Sequence, residues 1–208
     1  MKKSEIIKLA NSEVGYLGKK SNADLYDKKA NTSGMYNKYA QELYEAGYYN
    51  FNKNGYNYCA VFVDWLFYKL AGSKEAAIEV KPYNLYNASC TWCKKVYENA
   101  GRLTNKPEIG AQVFFLNKKK EVAHTGIVVD LNDDEGIVTV EGNVGNNVVT
   151  CTYDPTNPII DSFGLPFYEE EPEPVPNDSV VISAEEYADL LKAKQFRDTC
   201  RLALSMLE

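Results

Sequence analysis

The most regular hydrophobic pattern in the chain runs from Asn57 to Leu70, with the sequence NYCAVFVDWLFYKL. Its apolar residues recur at intervals of three and four, which predicts a mostly buried helix. These apolar positions are Cys59, Phe62, Val63, Leu66, Phe67 and Leu70. A segment rich in Gly, Asn and Tyr precedes them at residues 48–58. We therefore predict that a loop leads directly into a helix that begins at Cys59.

Shorter helical patterns predict further helices at residues 4–14, 36–46 and 89–100. Gly72 should follow the end of the central helix, and Gly101 should close the last one. From residue 107 the hydrophobic period changes to two, which predicts strands at 111–116, 122–131, 137–141, 148–153 and 163–168. Helices followed by a meander of strands predict an α+β fold, with N-terminal helices packed on an antiparallel sheet.

The composition changes abruptly after residue 168. Residues 169–180 begin with the acidic, proline-rich run EEEPEPVPND, which predicts an extended linker. Ser183-Ala-Glu-Glu186 has the form of a capping box, so we predict a C-terminal helix within residues 181–208. A lone helix of this size is marginal in water, so it should pack on the domain, on a second copy or on another partner. We favour self-association, with targeting as the alternative role. The predicted domains are thus 1–168, the linker and this helix.

The hairpin at residues 122–143 can be aligned by its apolar positions. With a loop at residues 132–135, Val129 faces Val138 and Ile127 faces Val140 on one apolar side. In this alignment Asn143 lies opposite His124, and Glu141 lies opposite Gly126. The polar side of the hairpin carries His124, Gly126, Val128, Asp130, Thr139, Glu141 and Asn143. A shift of one residue would bury the Glu141 carboxylate among apolar side chains, which is unfavourable.

Composition narrows the classes of function. The chain has 208 residues and a net charge of −6, so it lacks the basic surface expected of a nucleic-acid binder. It has no apolar run long enough for membrane insertion, and its N-terminal residues lack a signal-peptide core. We therefore expect synthesis and folding in a cytoplasm, with any action outside the cell depending on export or release by something else.

Five cysteines and one histidine limit the available chemistry. The cysteines lack the dense spacing of a disulfide scaffold, so we expect them to be reduced. Cys90-Thr91-Trp92-Cys93 could form a redox dithiol or half of a metal site, but a metal site would need a second pair or more histidines. We favour core packing for both cysteines on an amphipathic helix. No metal and no cofactor are predicted.

Cys59 is the candidate nucleophile. The N-terminus of a helix carries partial positive charge and unpaired N–H groups, which favour a thiolate over a thiol. The same groups would stabilise an oxygen anion formed nearby. The alternative interpretation is a small core cysteine at the start of a buried helix.

His124 is the candidate base, because the chain has no other histidine. It would accept the proton of Cys59 and later donate it to a leaving amine. Glu141 or Asn143, on the same side of the hairpin, would accept from the other imidazole N–H and orient the ring. The alternative is a solvent-facing polar sheet surface on which His124 has no special role. The combination of residues favours a cysteine hydrolase.

The order Cys59, His124, Glu141-Gly-Asn143 resembles the CHAP family of cell-wall amidases and peptidases, which are papain-like and related to NlpC/P60 peptidases. Further similar segments are NSEVGYL at residues 11–17, CAVFVDW at 59–65, AHTGIVV at 123–129 and VEGN at 140–143. Phe163-Gly-Leu-Pro-Phe-Tyr resembles the strand that closes such domains. Together these segments are similar to phage and prophage endolysins of clostridial-type bacteria, over about residues 1–168.

This resemblance implies peptidoglycan hydrolysis through a thioester, with Cys59 as nucleophile, His124 as base, Glu141 as orienting acid and Asn143 as a supporting polar residue. Some relatives bind calcium in an Asp-rich loop before the cysteine. Here the loop YNFNKNGYNYC has no acidic residue, so no calcium site is expected there. Expected partners are the peptidoglycan substrate and a second copy, bound through the C-terminal helix. The alternatives are a cysteine protease or deamidase of proteins and a non-catalytic interaction module.

Overall fold

A computed structural model describes residues 1–82, 88–132, 136–170, 183, 185–189 and 192 of the chain. The chain divides into two compact units, Met1–Glu171 and Pro172–Glu208. In the first unit the helices are α1 (Lys3–Glu13), α2 (Lys38–Glu45), α3 (Cys59–Ala71), α4 (Lys74–Val80) and α5 (Cys90–Asn99). No helix among the described residues is long and apolar enough to cross a bilayer.

Four of these helices lie where the hydrophobic spacing predicts them, and α3 begins at Cys59. Gly72 ends α3 with a φ of 76°, a left-handed conformation that glycine adopts at little cost. Helix α4 was not predicted, because it is only seven residues long and directly follows the turn that ends α3. Its N-terminus is capped by Ser73, whose side chain accepts a hydrogen bond from the Ala76 N–H.

The strands are β1 (Leu103–Thr104), β2 (Gln112–Leu116), β3 (Val122–Asn132), β4 (Gly136–Val144), β5 (Asn147–Tyr153) and β6 (Ile160–Gly164). They form one antiparallel sheet in the order β1-β6-β2-β3-β4-β5, which confirms the α+β prediction. Strands β2 to β5 form the predicted meander, but β6 returns to pair with β2. A last strand was predicted at residues 163–168, but only its first two residues belong to β6. The predicted bounds were wrong, since β6 ends before Pro166, which has no N–H to donate.

The predicted register of the β3–β4 hairpin is correct at one end and wrong at the other. Ile127 pairs with Val140 as predicted, but Val138 pairs with Asp130 and not with Val129. An irregularity between Val128 and Asp130 accommodates the extra residue, as a β-bulge does. The hairpin therefore starts at Asn132 opposite Gly136, and the rest of the predicted loop lies outside the described residues.

Helix α3 lies at the centre of the main core, because every residue from Cys59 to Phe67 is buried. It packs against α1, α2 and the sheet, through a cluster that includes Ile6, Tyr39, Leu43, Ile127, Val140 and Val148. A Cβ at Gly142 on β4 would lie 2.6 Å from the Cβ of Phe62. The missing side chain therefore lets α3 approach β4 closely, which fixes the start of the helix against the sheet.

In the second unit, the predicted capping box is formed. The Ser183 N–H donates to Glu186 Oε2 at 2.6 Å, and the Glu186 N–H donates to Ser183 Oγ at 3.1 Å. Residues 185–189 are helical. The remainder of the predicted C-terminal helix, and the linker beyond residue 170, lie outside the described residues.

Candidate active site

Cys59 occupies the first position of α3 and is only 5% exposed. The Phe62 N–H donates to the Tyr58 carbonyl at 2.8 Å, which begins the helical hydrogen bonding. The N–H groups of residues 59–61 are therefore available to other acceptors. The Ala60 N–H donates to the Cys59 sulfur and helps to lower its pKa. The start of α3 thus stabilises negative charge on this sulfur.

His124 lies on β3 opposite Phe115, and the two rings stack with their centroids 5.6 Å apart. Its Nε2 lies 2.6 Å from Oε2 of Glu141 on β4. The Glu141 side chain is 1% exposed, whereas that of His124 is 28% exposed. The other carboxylate oxygen of Glu141 accepts a hydrogen bond from Thr139 Oγ1 at 2.5 Å. Glu141 is therefore fixed from behind and holds an imidazole that reaches solvent.

A glycine makes room for this contact. A Cβ at Gly126 on β3 would lie 2.5 Å from Glu141 Cγ and 2.9 Å from the Val140 carbonyl oxygen. The Glu141 side chain therefore crosses β3 at the one position where β3 has no side chain. This placement agrees with the predicted pairing of Gly126 and Glu141, and it directs the carboxylate toward His124.

The Cys59 thiol and the His124 imidazole interact through a hydrogen bond and opposite charges. A hydrogen bond from Cys90 and the neighbouring His124 together lower the pKa of Cys59 well below its ordinary value, although burial opposes them. Burial alone would lower the pKa of His124, but the hydrogen bonds to Cys59 and Glu141 raise it to about 9. These opposite shifts in pKa favour a thiolate–imidazolium pair over a neutral thiol and imidazole. Because Nε2 faces Glu141, Nδ1 is the nitrogen left for Cys59.

Cys90 is a member of this site that the sequence did not reveal. It is the first residue of α5, and its sulfur lies 3.6 Å from the Cys59 sulfur. The predicted packing role holds for Cys93, which is fully buried in a cluster with Tyr97 and Phe114. For Cys90 it is incomplete, because the nearest sulfur belongs to the candidate nucleophile. The four described cysteines are all free thiols.

Asn143 does not take the position predicted for it relative to His124. Its Nδ2 donates to Oδ1 of Asn57, in the loop before Cys59, at 3.1 Å. Its φ of 67° is left-handed, and β4 is irregular between Glu141 and Val144. Its Oδ1 is buried without a hydrogen-bond partner among the residues that the structure describes. The imidazole acceptor is therefore Glu141, and Asn143 instead connects β4 to the loop that carries the nucleophile.

A metal site is not evident beside these groups. Within the described ranges, no cluster of three or more His, Cys, Asp or Glu side chains has the arrangement needed to hold a metal ion. The arrangement that does exist, a thiolate, an imidazolium and an orienting carboxylate at a helix start, can attack a carbonyl carbon and protonate a leaving group.

Comparison with known protein families finds one match. The CHAP domain family matches residues 51–143, a range that includes Cys59, His124, Glu141 and Asn143. No curated protein sequence matches the chain.

Two solved structures are similar in part. One is the N-acetylmuramoyl-L-alanine amidase from Staphylococcus aureus, at 15% identity and a TM-score of 0.41, with 55% of this chain and 31% of that chain covered. The other is Ly7917, at 11% identity and a TM-score of 0.46, with 80% of this chain and 62% of that chain covered. The match thus spans less than two thirds of each of these chains. Residues 51–143 of this protein are therefore similar to CHAP domains.

Proposed function

We propose that the protein is a peptidoglycan hydrolase that cleaves an amide bond by a cysteine mechanism. Cys59 is the nucleophile, His124 the acid and base, Glu141 the orienting carboxylate, and Asn143 a support for the loop before the nucleophile. The contact of Cys59 with an imidazole that Glu141 holds at 2.6 Å carries the proposal. The CHAP match over the same residues supports the substrate class.

In the first step the Cys59 thiolate adds to the carbonyl carbon of the scissile amide. The carbonyl oxygen becomes an anion, which the free N–H groups at the start of α3 can stabilise. One such donor typically contributes about 10²–10³-fold to kcat. The protonated His124 then donates its proton to the amide nitrogen, and the C–N bond breaks. The products are a free amine and a thioester on Cys59.

In the second step the now neutral His124 accepts a proton from water. The resulting hydroxide adds to the thioester carbon, and the C–S bond breaks. The acid product leaves, and Cys59 returns to a thiolate beside a protonated His124. Glu141 holds the ring in one orientation throughout, because its second oxygen is fixed by Thr139.

Substitution of the nucleophile tests this mechanism. Cys59→Ala should reduce the release of fragments from purified Gram-positive cell walls by about 10³-fold or more. The variant should keep the circular dichroism spectrum and thermal midpoint of the wild type within a few degrees. Cys93→Ala removes a thiol from the neighbouring helix and should retain wall activity, which makes it the matched control.

Other results would reject the mechanism or favour an alternative function. Wall cleavage by the folded Cys59→Ala variant would reject the thiol mechanism. Wild-type hydrolysis of casein with none of walls would favour the cysteine protease alternative. Mass spectrometry of the wall fragments would identify the bond from the new amino terminus, which distinguishes the muramoyl–alanine amide from bonds in the stem peptide or cross-bridge.

We also propose a biological setting for the protein. We place the protein as a phage or prophage endolysin that acts on the wall after release from the host cytoplasm. With a net charge of −6, its approach to an anionic wall gains nothing from overall charge. Association of two copies through the C-terminal helix would supply affinity by avidity instead.

A further inference from the structure

Two buried sulfurs meet at the candidate active site. The sulfurs of Cys59 and Cys90 are 3.6 Å apart, and the two residues are 5% and 7% exposed. Each residue begins a helix, α3 for Cys59 and α5 for Cys90. The mechanism proposed above uses Cys59 and assigns no role to Cys90. At this separation one thiol can donate a hydrogen bond to the other sulfur.

The surroundings decide which sulfur donates. Cys59 receives the Ala60 N–H and faces the His124 imidazole, so negative charge is most stable there. Two thiolates this close in a buried site would repel each other, so Cys90 keeps its proton. Burial and the adjacent Cys59 accordingly raise the pKa of Cys90 well above its ordinary value. The hydrogen bond therefore runs from the Cys90 S–H to the Cys59 sulfur.

Bonds from α5 to the sheet hold the Cys90 sulfur next to the Cys59 sulfur. Next to Cys90, Thr91 Oγ1 donates to the Val122 carbonyl on β3 at 3.1 Å, two residues before His124. Farther along the helix, Lys94 lies 2.6 Å from Asp161 on β6. The first turn of α5, which contains Cys90, is thus attached through Thr91 to the strand that carries the imidazole. Movement of α5 would change the surroundings of Cys59 and His124 together.

We propose that Cys90 is a positioning residue of the hydrolysis, donating its S–H to the Cys59 thiolate and holding that sulfur at the start of α3. The role rests on the proposed function of Cys59 as nucleophile. A donor to the thiolate has two opposed effects. It increases the fraction of Cys59 that is ionised at low pH, and it lowers the intrinsic reactivity of each thiolate, because nucleophilicity falls with basicity. Cys90 thus shifts the working range of the enzyme toward acidic pH.

Alkylation of Cys59 tests this role directly. The full-length protein is treated with iodoacetamide from pH 5 to pH 9, and modification of the Cys59 peptide is followed by mass spectrometry. In Cys90→Ala the rate at pH 6 should fall about 10-fold, as expected on loss of one hydrogen bond to a charged group. The plateau rate at high pH should stay equal or rise up to about threefold, because the remaining thiolate is more basic.

Two further variants separate hydrogen bonding from packing. Cys90→Ser keeps a donor of similar size, so its pH profile should move less than that of Cys90→Ala. Cys93→Ala makes the same truncation one turn along α5, and its Cys59 profile should match the wild type. Both variants are compared with the wild type by circular dichroism, so that an unfolded protein is recognised.

Three results would overturn the inference: an unchanged profile in Cys90→Ala, a Cys90→Ser shift as large as the alanine shift, or equal shifts in Cys90→Ala and Cys93→Ala. Because alkylation needs no wall substrate, the result is independent of the proposed function. If the profiles shift as expected but the wild type does not cleave walls, the thiol contact stands and the substrate proposal fails.

Discussion

Two buried carboxylates in this protein are held in nearly the same way. Glu141 lies 2.6 Å from His124, and Asp64 on α3 lies 2.6 Å from Lys81 at the end of α4. On its other oxygen, Glu141 accepts a hydrogen bond from Thr139 at 2.5 Å, and Asp64 accepts one from Tyr49, also at 2.5 Å. Each carboxylate therefore has a hydroxyl donor on one oxygen and a cationic partner on the other, and Glu141 also has hydrogen bonds with the side chains of Tyr153 and Cys151.

The two pairs differ in what surrounds the cation. Lys81 is 1% exposed and Asp64 4%, so both charges are removed from water. Burial would lower the pKa of Lys81, but the Asp64 carboxylate outweighs it and raises that pKa above its ordinary value. His124 is 28% exposed and also contacts Cys59. The imidazole can therefore exchange its proton with a substrate, whereas the ammonium of Lys81 cannot.

The comparison shows that an ion pair of given geometry does not by itself indicate function. A fully enclosed pair holds two elements together, here α3 and the end of α4, and breaking it is costly because one charge is left uncompensated. A pair that is open on the cation side and touches a thiol is suited to proton transfer. The two pairs should therefore respond differently to substitution, in activity for one and in stability for the other.

The largest expected difference is in activity. Glu141→Gln should lower kcat about 10²–10⁴-fold, because the imidazolium loses the charge that stabilises and orients it. In the wild type, activity should fall as the pH rises through about 9, where His124 loses the proton that the leaving amine needs. In Glu141→Gln this alkaline limit should move to lower pH, since the carboxylate helps to raise the pKa of His124.

The matched variant is Asp64→Asn, which removes the corresponding charge from the enclosed pair. It should leave kcat per folded molecule close to the wild-type value while lowering the thermal midpoint. Wall-fragment release measured from pH 5 to pH 10 compares the two variants. Equal losses of kcat in both, or an alkaline limit that stays in place in Glu141→Gln, would contradict the distinction between the pairs.

The second difference is in stability. Lys81→Met should lower the free energy of unfolding by about 3–5 kcal/mol, because the Asp64 carboxylate stays buried without its cation. The double variant Lys81→Met/Asp64→Asn should recover much of this loss, since no charge is then left unpaired. Urea denaturation followed by circular dichroism measures both values. If Lys81→Met were as stable as the wild type, another group would have to neutralise the Asp64 carboxylate.

The smallest difference concerns the two hydroxyl donors. Thr139→Val should reduce kcat by about 5–10-fold, because loss of one hydrogen bond, about 1 kcal/mol, loosens Glu141 behind the imidazole. Tyr49→Phe should lower the free energy of unfolding by about 1–3 kcal/mol, since a buried carboxylate oxygen loses its donor, and should leave kcat unchanged. Kinetic and denaturation measurements on both variants check this. A loss of kcat in Tyr49→Phe with none in Thr139→Val would refute it.

Much of the local structure could be predicted because it depends on neighbouring residues. The three- and four-residue spacing of apolar side chains defines α3, and the preceding loop rich in Asn and Tyr places its start at Cys59. The alternating pattern of β3 and β4 predicts the pairing of Ile127 with Val140, which the structure confirms. Helix α4 was missed because seven residues are too few to show a helical period, although Ser73 is a recognisable N-cap.

The candidate site could be predicted only in part. A single histidine restricts the choice of base, and the hairpin pairing brings Glu141 close to it. The choice between Glu141 and Asn143 as imidazole partner depended on the left-handed backbone of Asn143 and the irregularity of β4, which the alternating pattern does not encode. Thr139 lies on the same predicted polar side as Glu141, so its position two residues earlier was an available signal.

The sequence by itself determined where the nucleophilic helix begins, which residue is the only imidazole, and the antiparallel hairpin that carries a carboxylate beside it. These depend on hydrophobic period and residue type, which act over a few positions. The tertiary structure alone decided that Cys90 lies against Cys59, that β6 pairs with β2, and that Lys81 neutralises Asp64. Such contacts join segments far apart in the chain, and packing of the whole core selects them.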